Sequence, residues 1–250
     1  MSSSASGPTL PVGYQLISYE QIDSTNAAAL RAGCPHGLVI ISRSQTAGRG
    51  RHNRRWKSPA GNLHATICVT LPVLRHGAQL AFVASLAVLD TVSDLLPECR
   101  FALKWPNDVL CGSRKLSGIL IEAAESGRFA VGIGINVFEA PEDNEVRYPA
   151  ISLKELSGQI ISPDTVTTSL CQHFDQWYQR WQTKGFEPVR AVWLASAHGI
   201  GDTIAASAGG RHVEGCFEGL DDDGALILTD KRGKRHVITA ADICFSQRTD

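Results

Sequence analysis

Polar and apolar positions set out a string of short elements along this chain. Tyr14–Ile22 and Asn62–Leu71 carry the period-two pattern of strands, and Leu38–Ser42 is a shorter apolar strand. Between the first two strands, Asp23-Ser24-Thr25-Asn26 supplies helix N-cap residues before the alanine-rich run Ala27–Ala32, which Gly33 and Pro35 end. Ala78–Leu96 is apolar on nearly every face, which predicts a buried helix. Phe101–Trp105 reads as a strand ending at Pro106. Val109–Leu110 and Lys115–Glu122 read as a hairpin around Cys111-Gly112-Ser113-Arg114, and Phe129–Val137 as the next strand. Glu139–Pro149 is polar and reads as a loop. Two helices follow, Thr165–Lys184 and Glu187–Ala197. The first opens at Ser162-Pro163-Asp164 and carries a core-facing stripe of Phe174, Trp177, Tyr178 and Trp181.

After His198-Gly199 the pattern changes. Thr203–Ser207, His212–Leu220, Ala225–Asp230 and His236–Ile238 are short strands separated by Gly209-Gly210, Asp222-Asp223-Gly224 and similar turns. This predicts a small all-β module of about 50 residues. Residues 1–13 read as a flexible Ser/Pro/Gly-rich tail without the basic and apolar regions of a signal peptide.

Charge sharpens the picture. The 250 residues carry a formal net charge of −1, which gives no general attraction to nucleic acid or membrane. Yet Ser24–Leu89 contains no Asp or Glu, while Arg31, Arg43, Arg49, Arg51, Arg54, Arg55, Lys57 and Arg75 all fall within it. The longest apolar run, Leu80–Leu89, is far shorter than the ~20 residues needed to span a bilayer. The seven cysteines contain no CxxC pair and read as reduced thiols of a cytoplasmic protein.

Four segments have compositions that packing does not demand. Asp23-Ser24-Thr25-Asn26 offers hydroxyls and an amide, beyond its capping role. Gln45-Thr46-Ala47 leads into Gly48-Arg49-Gly50-Arg51-His52-Asn53-Arg54-Arg55-Trp56, a loop suited to anions because glycine lets backbone approach and arginine pairs with oxyanions through a planar fork. It is no dinucleotide fingerprint, since Asn53 stands where a third glycine belongs and Ser58-Pro59-Ala60-Gly61 follows instead of a helix. Lys104-Trp105-Pro106-Asn107-Asp108 places an amide and a carboxylate at a strand end. Arg114-Lys115-Leu116-Ser117-Gly118-Ile119-Leu120-Ile121-Glu122 and Gly132-Ile133-Gly134-Ile135-Asn136-Val137 are strands broken by glycine, which marks where a ligand lies against backbone. Taken alone, the acid-free region also fits a nucleic-acid surface, though no recognition helix accompanies it.

Together and in this order, the four segments resemble the biotin protein ligases, from about Tyr14 to the C-terminus. The resemblance implies an α+β fold: a mixed-sheet biotin/lipoate ligase-like catalytic domain over residues 14–198 with helices on one face, then an SH3-like β-barrel over 199–250. It implies an enzyme that activates biotin with ATP to biotinyl-5′-AMP and passes biotin to a lysine of a biotin carboxyl carrier domain of acetyl-CoA carboxylase or a related carboxylase. Ser24, Thr25, Asn26, Gln45, Gly48, Arg49, Gly50, Arg51, Lys115, Gly118, Leu120 and Gly134 match biotin-binding positions. Arg51, Arg54, Trp56, Asn107, Lys115 and Asn136 match adenylate positions, with Trp105 a second flat wall. Lys115, Arg49 and Asp108 match the catalytic places. Mg²⁺ is expected to arrive with ATP, since no direct metal motif stands in the chain. Only about 20 residues precede Asp23, too few for the DNA-binding domain of the family's repressors, so no nucleic-acid partner is expected. Monomer and homodimer both fit, and no membrane contact is implied. The related lipoate ligases carry a different motif where this chain has Gly48–Trp56.

Overall fold

The computed structural model describes residues 7–142, 148–208 and 211–245. In it the strands β1 (Gln15–Ile22), β2 (Leu38–Gln45), β3 (Leu63–Thr70), β4 (Phe101–Lys104), β5 (Asp108–Cys111), β6 (Arg114–Ala123) and β7 (Arg128–Ile135) form one sheet, ordered β1-β2-β3-β7-β6-β5-β4. Only β1 and β2 run parallel, and the other neighbours are antiparallel, so the sheet is mixed.

Residue parity along the strands sorts the two faces. Val39, Ile41, Ala65, Ile67, Val131, Ile133 and Ile135 point to the large core. There they meet α2 (Leu80–Leu95), and α4 (Pro163–Lys184) and α5 (Glu187–Ala195) pack onto α2. The opposite parity, Leu38, Ile40, Cys68 and Ala130, packs with Ala28 and Ala29 of α1 (Thr25–Arg31). The expected layer of helices on one face therefore holds for α2, α4 and α5, whereas short α1 covers one end of the other face. The rest of that face is open to form a pocket. Among the described residues one helical stretch, His76–Leu95, is long and apolar enough to cross a membrane, and 67% of its apolar window is buried in this core.

A short helix, α3 (Leu153–Ser157), was not foreseen, although Ser152 and Glu155 form a capping pair and Gly158 closes it in the left-handed conformation. In the C-terminal part, β8 (Thr203–Ala208), β9 (Arg211–Leu220), β10 (Leu226–Thr229), β11 (Arg235–Ile238) and β12 (Asp242–Phe245) form a separate antiparallel sheet, ordered β11-β10-β9-β8-β12. β12 was missed because it is four residues long and its pairing partner, β8, lies far back in the chain.

The two sheets are joined through buried contacts. Trp105 is 2% exposed and its Nε1 donates to Gly224 O at 3.0 Å. Gly224 also sits against the Phe82 ring, where a Cβ would come within 2.7 Å. At the surface, Arg190 Nη1 of α5 also reaches Asp222 Oδ1 at 2.6 Å.

Candidate active site

Glycine makes the pocket floor. On the α1 face the register aligns His64 with Gly134 and Gly118, then Thr66 with Gly132 and Leu120, then Cys68 with Ala130 and Glu122. A Cβ on Gly134 would stand 2.5 Å from the Trp56 ring, and one on Gly132 would stand 2.3 Å from Asn26 Oδ1. Each glycine thus admits a side chain from above. The sheet, these side chains and the arginine loop enclose a cavity of about 460 Å³.

The loop folds as a narrow excursion. Gly50 N donates to Arg54 O at 2.7 Å and Trp56 N to Gly48 O at 2.9 Å. Its tip turns through left-handed His52 (φ 55°) and Asn53 (φ 56°). Asn53 therefore takes the backbone that a third glycine would supply, as asparagine does more readily than most residues. Gly48 is a close-packing point, not a pocket wall: a Cβ there would lie 2.6 Å from Ser58 Oγ.

A continuous hydrogen-bond chain crosses the floor beneath the loop. Gln45 Nε2 donates to Ser58 Oγ (2.8 Å), and Gln45 Oε1 accepts from Thr25 N (2.8 Å) and Thr25 Oγ1 (3.2 Å). Thr66 Oγ1 lies 2.9 Å from Thr25 Oγ1 and 2.6 Å from Asn26 Oδ1. Asn26 Nδ2 then donates to Glu122 Oε2 at 2.8 Å, and Arg49 Nη2 pairs with Glu122 Oε1 at 3.0 Å. The chain runs from Ser58, just past the loop, to Arg49 near its start, so the floor holds both of its roots. Sequence reading missed Ser58, Thr66 and the part of Glu122, because only the sheet register brings them together. Ser24 faces the pocket and caps α1 by accepting from Ala27 N at 3.4 Å.

Cations outnumber carboxylates in the lining. Arg49, Arg51, Arg54, Arg55, Lys57, Lys104 and Lys115 line the cavity against two carboxylates, Asp108 and Asp242. Lys115 Nζ is 2.6 Å from Asp108 Oδ1 and 5.5 Å from the Trp56 ring centre. Arg51 Nη1 reaches Asn107 Oδ1 at 3.5 Å and Ala241 O at 3.3 Å. Burial lowers the Arg51 pKa while Asp242 and Asp108 raise it, and it remains a cation at neutral pH. Arg54 is ion-paired with Asp242. Asn136 lines the pocket, and its Nδ2 is engaged by Lys115 O (3.4 Å) and Ile151 O (3.1 Å). Trp105 also lines it and at the same time anchors the two sheets to each other.

Two buried polar atoms of the wall have no protein partner, Trp56 Nε1 and His64 Nδ1. His64 is 2% exposed, and its Nε2 lies 3.1 Å from Pro59 O, which leaves Nδ1 as an acceptor in the tautomer with the proton on Nε2. Burial lowers its pKa, so the ring is neutral at physiological pH. The cavity therefore combines a glycine floor and the apolar Trp56, Ile119, Leu120 and Ile133 with seven lysines and arginines. That is the shape for an amphipathic molecule whose anionic end meets a second anion.

The comparisons with known proteins fit this architecture. Residues 18–137 match the model of the biotin/lipoate A/B protein ligase family, and residues 199–246 match the biotin protein ligase C-terminal domain. The fold and site thus define a ligase of that broad class. The chain is 41% identical over 239 residues to a biotin–[acetyl-CoA-carboxylase] ligase of Paracoccus denitrificans, covering 89% of this chain and 97% of that protein. A Mycobacterium tuberculosis protein of the same name is 36% identical over 92% of this chain and 88% of its own length. Among solved structures, the Aquifex aeolicus biotin protein ligase in complex with biotin and ATP aligns with a TM-score of 0.83 at 26% identity, covering 92% of this chain and 99% of that one. The chain belongs to the biotin protein ligase family.

Proposed function

We propose that this protein activates biotin with ATP to biotinyl-5′-AMP and transfers the biotinyl group to a lysine of a carboxyl carrier domain. The observation that carries this reading is the convergence of Lys115, Arg49, Arg51 and Arg54 on a glycine-floored cavity. Biotin's bicyclic end packs against Leu120 and the Trp56 ring, which Gly118 and Gly134 let settle onto the sheet. Ser24, Thr25, Asn26 and Gln45 face its polar ring edge, and Gly48 and Gly50 let the loop fold over it.

A biotin carboxylate oxygen attacks the α-phosphorus of ATP, the bond to the bridging oxygen breaks, and pyrophosphate leaves. Two anions must meet. Fixed cations lower that barrier, since oriented charge in a dry site needs no reorganisation during reaction. Lys115 and Arg49 hold the carboxylate and α-phosphate, Arg51 and Arg54 the phosphates, and Asn107 and Asn136 frame the nucleotide. Among the described residues no group of three or more His, Cys, Asp or Glu side chains is placed to hold a metal. Mg²⁺ carried on the triphosphate would need only one or two protein ligands, and Asp108 and Asn107 of the cavity lining would supply them. The mixed anhydride is prone to hydrolysis, and the closed loop shields it from water. The carrier amine then attacks the biotinyl carbonyl and expels AMP, with Asp108 placed to orient the amine.

Acetyl-CoA carboxylase is the reading for the acceptor, by likeness to relatives so named. The six described cysteines are free thiols, in keeping with a cytoplasmic setting. Biotin-dependent pyrophosphate release from Mg-ATP tests the first step. Lys115→Ala is expected to slow it at least ~100-fold, and lipoate is expected not to replace biotin. Absence of biotin-dependent release in the native protein would refute the activity.

A further inference from the structure

We propose that Asp242, in the C-terminal sheet, is a positioning residue that latches the arginine loop closed through Arg54; the proposal rests on the loop acting as the lid of the adenylate site. Three loop residues meet two consecutive residues at the start of β12. Arg54 pairs with Asp242 through both terminal nitrogens, Nη1 at 3.3 Å from Oδ1 and Nη2 on Oδ2. His52 Nε2 lies 3.9 Å from Asp242 Oδ1, and Arg51 Nη1 donates to Ala241 O at 3.3 Å. The Asp242 side chain is only 19% exposed, against 47% for Arg54.

A carboxylate in the wall of a site for two anions opposes their binding, since like charges at close range repel. Anion recognition therefore does not explain Asp242, whereas fixing a guanidinium does. The opposite end of the loop is held in the same way by Glu122 on Arg49 at 3.0 Å. The loop is thus pinned across the cavity by one carboxylate from β6 and one from β12. Through the second, the small C-terminal sheet takes part in closure.

Hydrogen–deuterium exchange of residues 48–57 in ligand-free protein tests the latch without any substrate. Asp242→Asn is expected to speed exchange about threefold, in line with a partly exposed pair, and high salt to do the same to the native protein. With biotin and Mg-ATP, hydroxylamine-trappable activated biotin per pyrophosphate released is expected to rise by a similar factor. In exchange, Arg54→Gln and the Arg54→Gln/Asp242→Asn double variant are expected to match the single change, because all three break one pair. The swap Arg54→Asp/Asp242→Arg is expected to restore slow exchange. Unchanged exchange and escape in Asp242→Asn, or effects that multiply in the double variant, would overturn the latch. If Asp242→Asn lowers the melting temperature, the swap decides: fast exchange in a folded swap protein also overturns it. A native protein that releases no pyrophosphate would sink the ligase reading alone, and the exchange arm would still judge the latch.

Discussion

At the scale of single residues, the site is set by side chains whose partners are other site residues. Gln45, Thr25, Thr66, Asn26 and Glu122 hold one another in a chain, so their orientations are fixed before any ligand arrives. Such pre-organisation reduces the ordering cost of binding. His64 adds a pH dependence. Its folded pKa lies below the ordinary value of 6.5 because burial disfavours the charged ring. A depressed pKa contributes stability that is present above the unfolded value and lost as pH falls from 6.5 toward the folded one. Urea unfolding of native protein and His64→Leu between pH 7.5 and 5.5 should show it. The native protein is expected to lose up to about 1.4 kcal/mol more per pH unit than the variant below 6.5. Parallel pH profiles would contradict the buried neutral ring.

At the scale of elements, the neighbouring β6 and β7 strands and the arginine loop form one device. The aligned Gly118 and Gly134 leave a groove on the sheet, and Trp56 lies in it. Gly134→Ala would place a methyl group 2.5 Å from a ring atom of Trp56, so the ring must move off the floor. The expected result is biotin binding weakened by at least about tenfold, measured by titration calorimetry. The ring borders open cavity, so the melting temperature is expected to fall by only about 2–4 °C. Unchanged affinity would show that Trp56 does not shape the biotin end. Much of this device was legible in the sequence, because glycines inside strands and clustered arginines without acids have few other uses. Its counter-ions were not. Glu122 and Asp242 lie 73 and 188 residues from the arginines they hold. Only strand register and the docking of the second sheet bring them close.

At the scale of the whole molecule, the two sheets share a junction that the sequence did not announce. Trp105, read as a pocket wall, lines the cavity and also donates to the Gly224 carbonyl, and Gly224 lies on Phe82 with φ +88°. Gly224→Ala meets both a left-handed backbone and a ring 2.7 Å from its Cβ. It is expected to cost about 2–3 kcal/mol and to lower a single calorimetric transition. Two separate transitions would show modules that fold independently. The mixed sheet, the buried helix and the β-rich C-terminal part were readable from hydrophobic period and turn residues. The face on which α1 packs and the pairing of β12 depended on contacts distant in sequence, whereas α3 carried a local capping signal in Ser152, Glu155 and Gly158.

The central claim is that the cavity under the arginine loop makes a biotinyl adenylate and delivers it to a carrier lysine. Intact-mass spectrometry of a biotin carboxyl carrier domain incubated with the purified protein, biotin and Mg-ATP tests it most directly. One biotinyl group on one lysine is expected, dependent on ATP and lost with Lys115→Ala. A carrier that stays unmodified while the native protein is folded and supplied with both substrates would contradict it.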